Sequence, residues 1–289
     1  MQRELFICPV CRSPLSQSDQ SSMRCQARHS FNIARQGYLS LVTSADARGD
    51  TRSMVEARRD FLARGVYDPI AKGLITAVGN RLDPLPWRGR LSPPPVLADL
   101  GGGTGWYARA LLSAFPDAEG VLIDASVFAA RVAAKAHPRL SVATADLWQG
   151  IPLADASVSV ALNVFAPRNP AEIRRILAPG GVCLVVTPTP NHLQELRAIL
   201  PMLTIEADKE RHLLDRFSHF RHAGAEEIEY VHSCDRGTVA QILAMGPSAF
   251  HRGKFPEPTL DQDSYDTTIS VTIHRFHEDR CGTLLAGVA

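Results

Sequence analysis

Val96-Leu97-Ala98-Asp99-Leu100-Gly101-Gly102-Gly103-Thr104-Gly105 is the stretch that decides the fold. An apolar run ends on an acid and enters four glycines within five residues. Residues without a β-carbon permit a tight turn and close approach of a ligand to the backbone. A dinucleotide loop of the dehydrogenase kind would read GxGxxG and set a pyrophosphate on a helix dipole. Here the pattern is DxGxGxG, with Asp99 at the end of the strand. A carboxylate suits a cationic ligand, and S-adenosylmethionine carries a sulfonium and an ammonium but no pyrophosphate. Gly101, Gly103 and Gly105 are therefore read as the loop of a methyl-donor site.

Two further acids stand at the ends of the next apolar runs. Leu122-Ile123-Asp124 places a carboxylate about twenty residues after the loop, the spacing at which ribose hydroxyls are read. Ala145-Asp146-Leu147 places a third, where an adenine amine would lie; the alternative is that Asp146 only caps a turn. Three acids at three successive strand ends mark one edge of a parallel sheet, where open α/β folds bind ligands.

Working outward, strands are predicted at 96–100, 120–124, 142–145, 158–164 and 181–187. Helices are predicted to begin near Trp106, Ser126, Pro170 and His192, with an amphipathic helix over 212–222. Residues 226–233 and 267–274 alternate as an antiparallel edge pair. Upstream, Met54, Phe61, Leu62, Ile70, Leu74, Ile75 and Val78 recur at helical spacing, giving two helices broken near 65–69. Residues 91–95, Leu-Ser-Pro-Pro-Pro, read as a stiff connector. The fold class is α/β: a class I, Rossmann-like methyltransferase domain with a small module in front. The divisions are 1–42 for that module, 43–95 for a helical connector contributing to the donor site, and 96–289 for the methyltransferase domain.

Cys8-Pro9-Val10-Cys11, followed by Cys25 and His29, supplies the front module with four ligands at zinc-finger spacing. A redox pair or disulfides are the alternatives. Three of the six cysteines crowd into the first 25 residues. Four protein ligands would fill the tetrahedron, so this zinc is structural and leaves no open position for chemistry. So short a module needs its metal to fold. Cys183 reads as a core residue in a strand; Cys234 and Cys281 give no signal.

The net charge of +1 neither demands nor excludes a nucleic-acid partner. Arginines are nonetheless dense in the first 60 residues, at Arg3, Arg12, Arg24, Arg28, Arg35, Arg48, Arg52, Arg58 and Arg59. No leader-like opening and no bilayer-length apolar run occur, so no membrane association is expected. With thiols gathered at a metal, the expected location is cytoplasmic.

Taken together these residues resemble the RlmA family of large-subunit rRNA guanine-N1 methyltransferases, and more closely its tylosin-resistance branch. The resemblance covers nearly the whole chain. It rests on the Cys8/Cys11/Cys25/His29 set, Arg35-Gln36-Gly37-Tyr38, Ala57-Arg58-Arg59 leading to Tyr67, the 99–105 loop, the run 161–170 (ALNVFAPRNP) and Met245-Gly246-Pro247-Ser248. It implies methylation of N1 of one guanosine in a domain II hairpin of 23S rRNA, with macrolide resistance in some members. By the resemblance, Cys8, Cys11, Cys25 and His29 match the zinc ligands, and Tyr67, Gly103, Thr104 and His192 match contacts to the methyl donor. Relatives pair into homodimers, which would let two zinc modules clasp one RNA. One departure is Asp124-Ala125-Ser126-Val127, where many relatives have Lys after the serine, implying a differently tuned donor pocket.

Guanine N1 carries a proton on the Watson–Crick edge, so the base must be unpaired before attack. The loop Asn163-Val164-Phe165-Ala166-Pro167-Arg168 lies where such enzymes receive the target. Asn163 is expected to hydrogen-bond the guanine edge, Phe165 to stack on it and Arg168 to balance charge at O6 or a phosphate; the alternative is that Asn163 ends the strand and Phe165 fills core. The front module is expected to grip RNA, with a purely structural lid as its rival. The competing functions are a small-molecule methyltransferase and a non-catalytic RNA-binding protein on the same fold.

Overall fold

The computed structural model describes residues 5–42, 49–82, 94–200, 202–205, 208–246 and 260–278. Arg3, Arg48, residues 91–93 of the connector, Pro247, Ser248 and Cys281 lie outside the described residues.

The front of the chain forms a three-stranded antiparallel sheet of β1 (Ser16–Asp19), β2 (Ser22–Arg24) and β3 (Ser30–Asn32). The next strand, β4 (Leu39–Ser40), leaves this small sheet and pairs in parallel with the main one. Two helices follow, α1 (Arg52–Ala63) and α2 (Asp68–Leu82). Thr51 caps the first, its hydroxyl accepting from the Met54 N–H, and Gly65 at φ 75° supplies the left-handed turn between them.

The αβ alternation then runs β5 (Val96–Leu100), α3 (Trp106–Ala114), β6 (Glu119–Asp124), α4 (Val127–Ala133), β7 (Leu140–Thr144), β8 (Val158–Val164), α5 (Pro170–Ile176), β9 (Leu177–Pro188), α6 (Gln194–Ile199), α7 (Lys209–Arg216), β10 (Arg221–Asp235), α8 (Arg236–Met245) and β11 (Ser264–His277). The eight-stranded sheet has the order β10-β11-β9-β8-β5-β6-β7-β4. The six strands from β9 to β4 are parallel, and β11 and β10 add an antiparallel edge. Chain order reverses between β5 and β8, which opens a crevice at their carboxyl ends. Two expectations need correction. The helix expected over 212–222 ends at Arg216, because Arg221 and His222 already pair with His277 and Phe276. Helix α8, started by the Asp235 carboxylate accepting from the Thr238 N–H, had no expectation at all.

The period-two alternation of the strands sorts the core into two layers. Leu97, Leu122 and Val142 point to the layer holding Phe61, Ile70, Leu111, Ala130, Leu196 and Val239 of the helices. Val96, Ala98, Leu100, Val121 and Ile123 point to the other, which contains Ile173, Ile176 and Phe217 together with Phe6, Leu15, Met23, Leu39 and Leu41 of the zinc module. The module is thus part of the second layer. Backbone bonds fasten it: Ile7 N–H donates to Pro152 O, Ala154 N–H to Leu5 O, and Leu41 N–H to Thr144 O. Among the described residues no helix is long and apolar enough to cross a membrane.

Candidate methyl-donor site and metal centre

Cys8, Cys11, Cys25 and His29 bring their ligand atoms within 4.8 Å of one another. Cys11 Sγ lies 3.6 Å from Cys25 Sγ, and His29 Nδ1 lies 3.5 Å from Cys8 Sγ and 3.4 Å from Cys25 Sγ. Tetrahedral zinc with bonds of about 2.0–2.3 Å sets its ligand atoms roughly 3.4–3.8 Å apart, so the cluster fits the ion. Two matching turns shape it. Arg12 N–H donates to Cys8 O and Arg28 N–H to Cys25 O, each arginine at a left-handed φ (61° and 65°). Arg12 also reaches across to Glu172 on α5, 3.5 Å away.

The crevice at the switch point is a cavity of about 660 Å³, within the range that holds a cofactor-sized ligand. The glycine loop forms its floor. Gly101 and Gly103 hold positive φ, 75° and 55°, and Gly103 donates its N–H to Asp124 Oδ2 at 2.8 Å. Asp124 Oδ1 accepts from the Ser126 N–H at 2.8 Å. Burial raises the Asp124 carboxyl above its ordinary range, and these two N–H groups offset only part of that rise. Its remaining lone pairs can accept ribose hydroxyls.

Asp99 is 1% exposed and shares the face of β5 that packs under α3. No side chain reaches either of its carboxylate oxygens. Burial, reinforced by the negative charge of Asp124, pushes its carboxyl up to about 7. An unpartnered acid lining the cavity is what a cationic ligand requires, and it makes the site fit S-adenosylmethionine. A pH consequence follows. Between about 4, the ordinary aspartate value, and about 7 the folded protein holds a proton that the unfolded chain releases, so stability should fall as pH rises through that window. A cation beside Asp99 favours the ionised form, so donor binding at pH 6 should release a proton. Calorimetry in buffers of different ionisation enthalpy should detect that release in the unaltered protein and none in Asp99→Asn.

Tyr67, Thr104, Asp146, Phe165, Arg168 and His192 also line the cavity. Asp146 caps the turn, its Oδ1 accepting from the Trp148 N–H at 3.0 Å, and the residue also borders the cavity. Tyr67 Oη and His192 Nε2 lie 3.1 Å apart. Their rings and that of Phe165 form one wall, with centroids 5.8–6.0 Å apart. Phe165 is 39% exposed and sits at φ 52°, a strained conformation for a bulky residue and one that clusters at functional sites.

Two sequence-based site residues stand elsewhere. Asn163 does not line the cavity: it is fully buried, its Nδ2 donates to Leu100 O and Pro167 O, and its Oδ1 accepts from Arg168 Nε at 3.0 Å. It ties the loop to β5, with its polar atoms already engaged away from any base. Gly105 likewise faces α4, where a β-carbon would meet Ala133 and Ala136 at 3.2 Å. Residues that sequence reasoning left out are Asp50 and Arg58, which line the cavity over the glycine loop, and Trp148, 56% exposed at its rim with the Arg216 guanidinium 5.5 Å from its ring centre. Arg58 stands in the Ala57-Arg58-Arg59 run that the resemblance uses, but neither spacing nor pattern gives it or the other two a site role; they converge only through the tertiary fold.

A family model described as "RlmA, N-terminal" matches residues 6–44, and one for a methyltransferase domain matches residues 97–181. The "23S rRNA (guanine(748)-N(1))-methyltransferase" of Streptomyces fradiae is 42% identical over 247 residues, spanning 85% of this chain and 85% of its own length. A "Putative 23S rRNA (guanine-N(1)-)-methyltransferase" of Micromonospora griseorubida is 45% identical over 254 residues, spanning 84% of this chain and 86% of its own. Each match covers more than four fifths of this chain. With a zinc ribbon and an S-adenosylmethionine-type cavity joined in one chain, and with 42–45% identity over 84–85% of it, this protein belongs to the 23S rRNA (guanine-N1)-methyltransferase family.

Proposed function

We propose that the chain methylates N1 of a guanosine in a domain II hairpin of 23S rRNA, at the position, 748, that the Streptomyces fradiae relative is named for. What carries this reading is the 45% identity over 84% of this chain. S-adenosylmethionine supplies an electrophilic methyl carbon on its sulfonium. The chain's part is to bring the base into line and exclude water. Phe165, exposed at the cavity wall, is the stacking surface for the unpaired guanine. Arg168 is oriented by Asn163 and balances the charge that builds on O6 as the N1 proton leaves. Asp124 takes the ribose of the donor, Asp146 its adenine amine and Asp99 its ammonium, with Tyr67, Gly101, Gly103, Thr104 and His192 completing the pocket.

The zinc module lies beside the loop that carries Asp146, and its arginines face an RNA duplex by shape and phosphate contacts. Pairing of two chains into a homodimer, macrolide resistance and action in the cytoplasm belong to the same proposal. Primer extension on 23S rRNA incubated with protein and donor tests it, because an N1 methyl halts reverse transcriptase. A donor-dependent stop at one domain II guanosine is expected. No stop on free RNA or on subunit particles, from protein that binds the donor, would overturn it in favour of a small-molecule acceptor.

A further inference from the structure

The cavity has a cation whose place the donor reading leaves unexplained. Arg58 projects from α1 to the glycine loop, where a β-carbon on Gly103 would lie 3.5 Å from its Nη1. It is held there by an ion pair with Asp50 and by a bond from Nη2 to Met245 O at 2.8 Å. A guanidinium has five N–H donors, and these two contacts leave others free. Its charge lowers the carboxyl of Asp124 and the phenol of Tyr67, though burial dominates in both. Arg58 therefore stands between the ribose-reading acid, the glycine loop and the Tyr67–His192 pair.

The hydrogen-bond polarity of that pair is fixed. The Ser270 N–H donates to His192 Nδ1 at 3.2 Å, and a backbone N–H can only donate, so Nδ1 carries the lone pair. Burial lowers His192 to about 4, which keeps the ring neutral at physiological pH. The ring proton is then on Nε2, and Tyr67 Oη accepts it. The Tyr67 hydroxyl proton is left to donate elsewhere, into the cavity that the residue lines.

A donor of this class ends in an amino acid, with an ammonium and a carboxylate on one carbon. The ammonium belongs beside Asp99, the unpartnered acid under the glycine loop. The carboxylate, one carbon away, needs N–H or O–H donors and positive charge at the same loop. We infer that Arg58 binds the α-carboxylate of the methyl donor and that the Tyr67 hydroxyl, polarised by His192, donates to the same carboxylate. This rests on the reading of the cavity as an S-adenosylmethionine site. Of the other cationic side chains lining the cavity, Arg168 is directed to Asn163 and Arg197 to the carbonyls of His192 and Pro190; Lys209, on α7, acts on the His192 ring by its charge, whereas Arg58 lies against the glycine loop itself.

The test is isothermal titration of the full-length, zinc-loaded protein with S-adenosylmethionine and with its decarboxylated analogue. The unaltered protein should prefer the carboxylated ligand by roughly tenfold to a hundredfold, the scale of a charge-assisted contact. Arg58→Met should bind both alike, at the affinity the unaltered protein shows for the analogue, and Arg58→Lys should regain part of the preference. Tyr67→Phe, which leaves α1 and its ion pair intact, should lose a smaller share. Full preference in Arg58→Met, or equal weakening toward both ligands in Arg58→Met and Tyr67→Phe alike, would overturn the assignment and leave Arg58 as a brace between Asp50 and Met245. If the unaltered protein binds the donor with no preference, the assignment alone fails. If it binds neither ligand, the donor-site reading fails first.

Discussion

Gly101→Ala should reduce methyl-donor affinity by more than about tenfold and rRNA methylation by a larger factor, while leaving the protein folded. Gly101 holds φ 75° and donates its N–H to Ile123 O at 2.7 Å, so the turn cannot relax without losing the bond that ties the loop to β6. An L residue in that conformation costs about 1–2 kcal/mol, which alone is close to a factor of ten in an equilibrium. Space adds to the cost. The new β-carbon would fall 2.5 Å from Ala166 Cβ, inside van der Waals contact. Ala166 follows Phe165 in the loop proposed to receive the base, so the methyl group pushes the two halves of the reaction apart. Donor affinity by calorimetry and turnover by primer extension measure the two effects. Unchanged affinity with unchanged turnover would mean that the glycine loop is not the donor floor.

Stripping the zinc, by a chelator or by Cys25→Ala, should unfold the front module and abolish rRNA methylation, and it should also weaken donor binding. Structural zinc sites in small modules are worth roughly 10–16 kcal/mol, comparable to the whole stability of a typical domain. Sequence alone suggests that removing residues 1–42 would leave donor affinity largely intact. The structure gives a reason to expect otherwise. Leu39 and Ser40 form the edge strand beside β7, Leu41 bonds to Thr144 O, and Ile7 bonds to Pro152 O. Asp146 lies in the loop between these attachments. Phe6, fully buried against Leu153, would lose its partner layer. Limited proteolysis with and without chelator, read beside donor calorimetry, checks the coupling. A module cleaved away with donor affinity unchanged would show that it acts on RNA alone.

Much of this architecture is legible in the chain because it depends on local rules. Strand, glycine turn and acid recur in order, and period-two alternation by itself assigns Leu97 and Ala98 to opposite layers. The four zinc ligands announce themselves by spacing, since two residues between thiolates is what a tight turn permits. Helix α8 leaves no such signal because its start depends on a cap, Asp235, that terminates a long edge strand with no break in the text. Asn163 is misplaced by sequence reasoning for a related cause. A polar residue at a strand end beside a candidate loop reads equally as a ligand or as a brace, and only the positions of Leu100 O, Pro167 O and Arg168 decide.

Fold class, metal module, glycine loop and the three strand-end acids are legible in the chain because each is encoded by adjacent residues or at a fixed repeat. Tertiary packing is what puts Arg58, from a helix upstream of the first αβ unit, over that loop and sets the Ser270 N–H, from the last strand, against His192 Nδ1. It alone showed that the zinc module completes the sheet. These contacts join segments as much as 187 residues apart, as from Arg58 to Met245. Side chains that meet through packing rather than through spacing leave no periodic trace in the sequence.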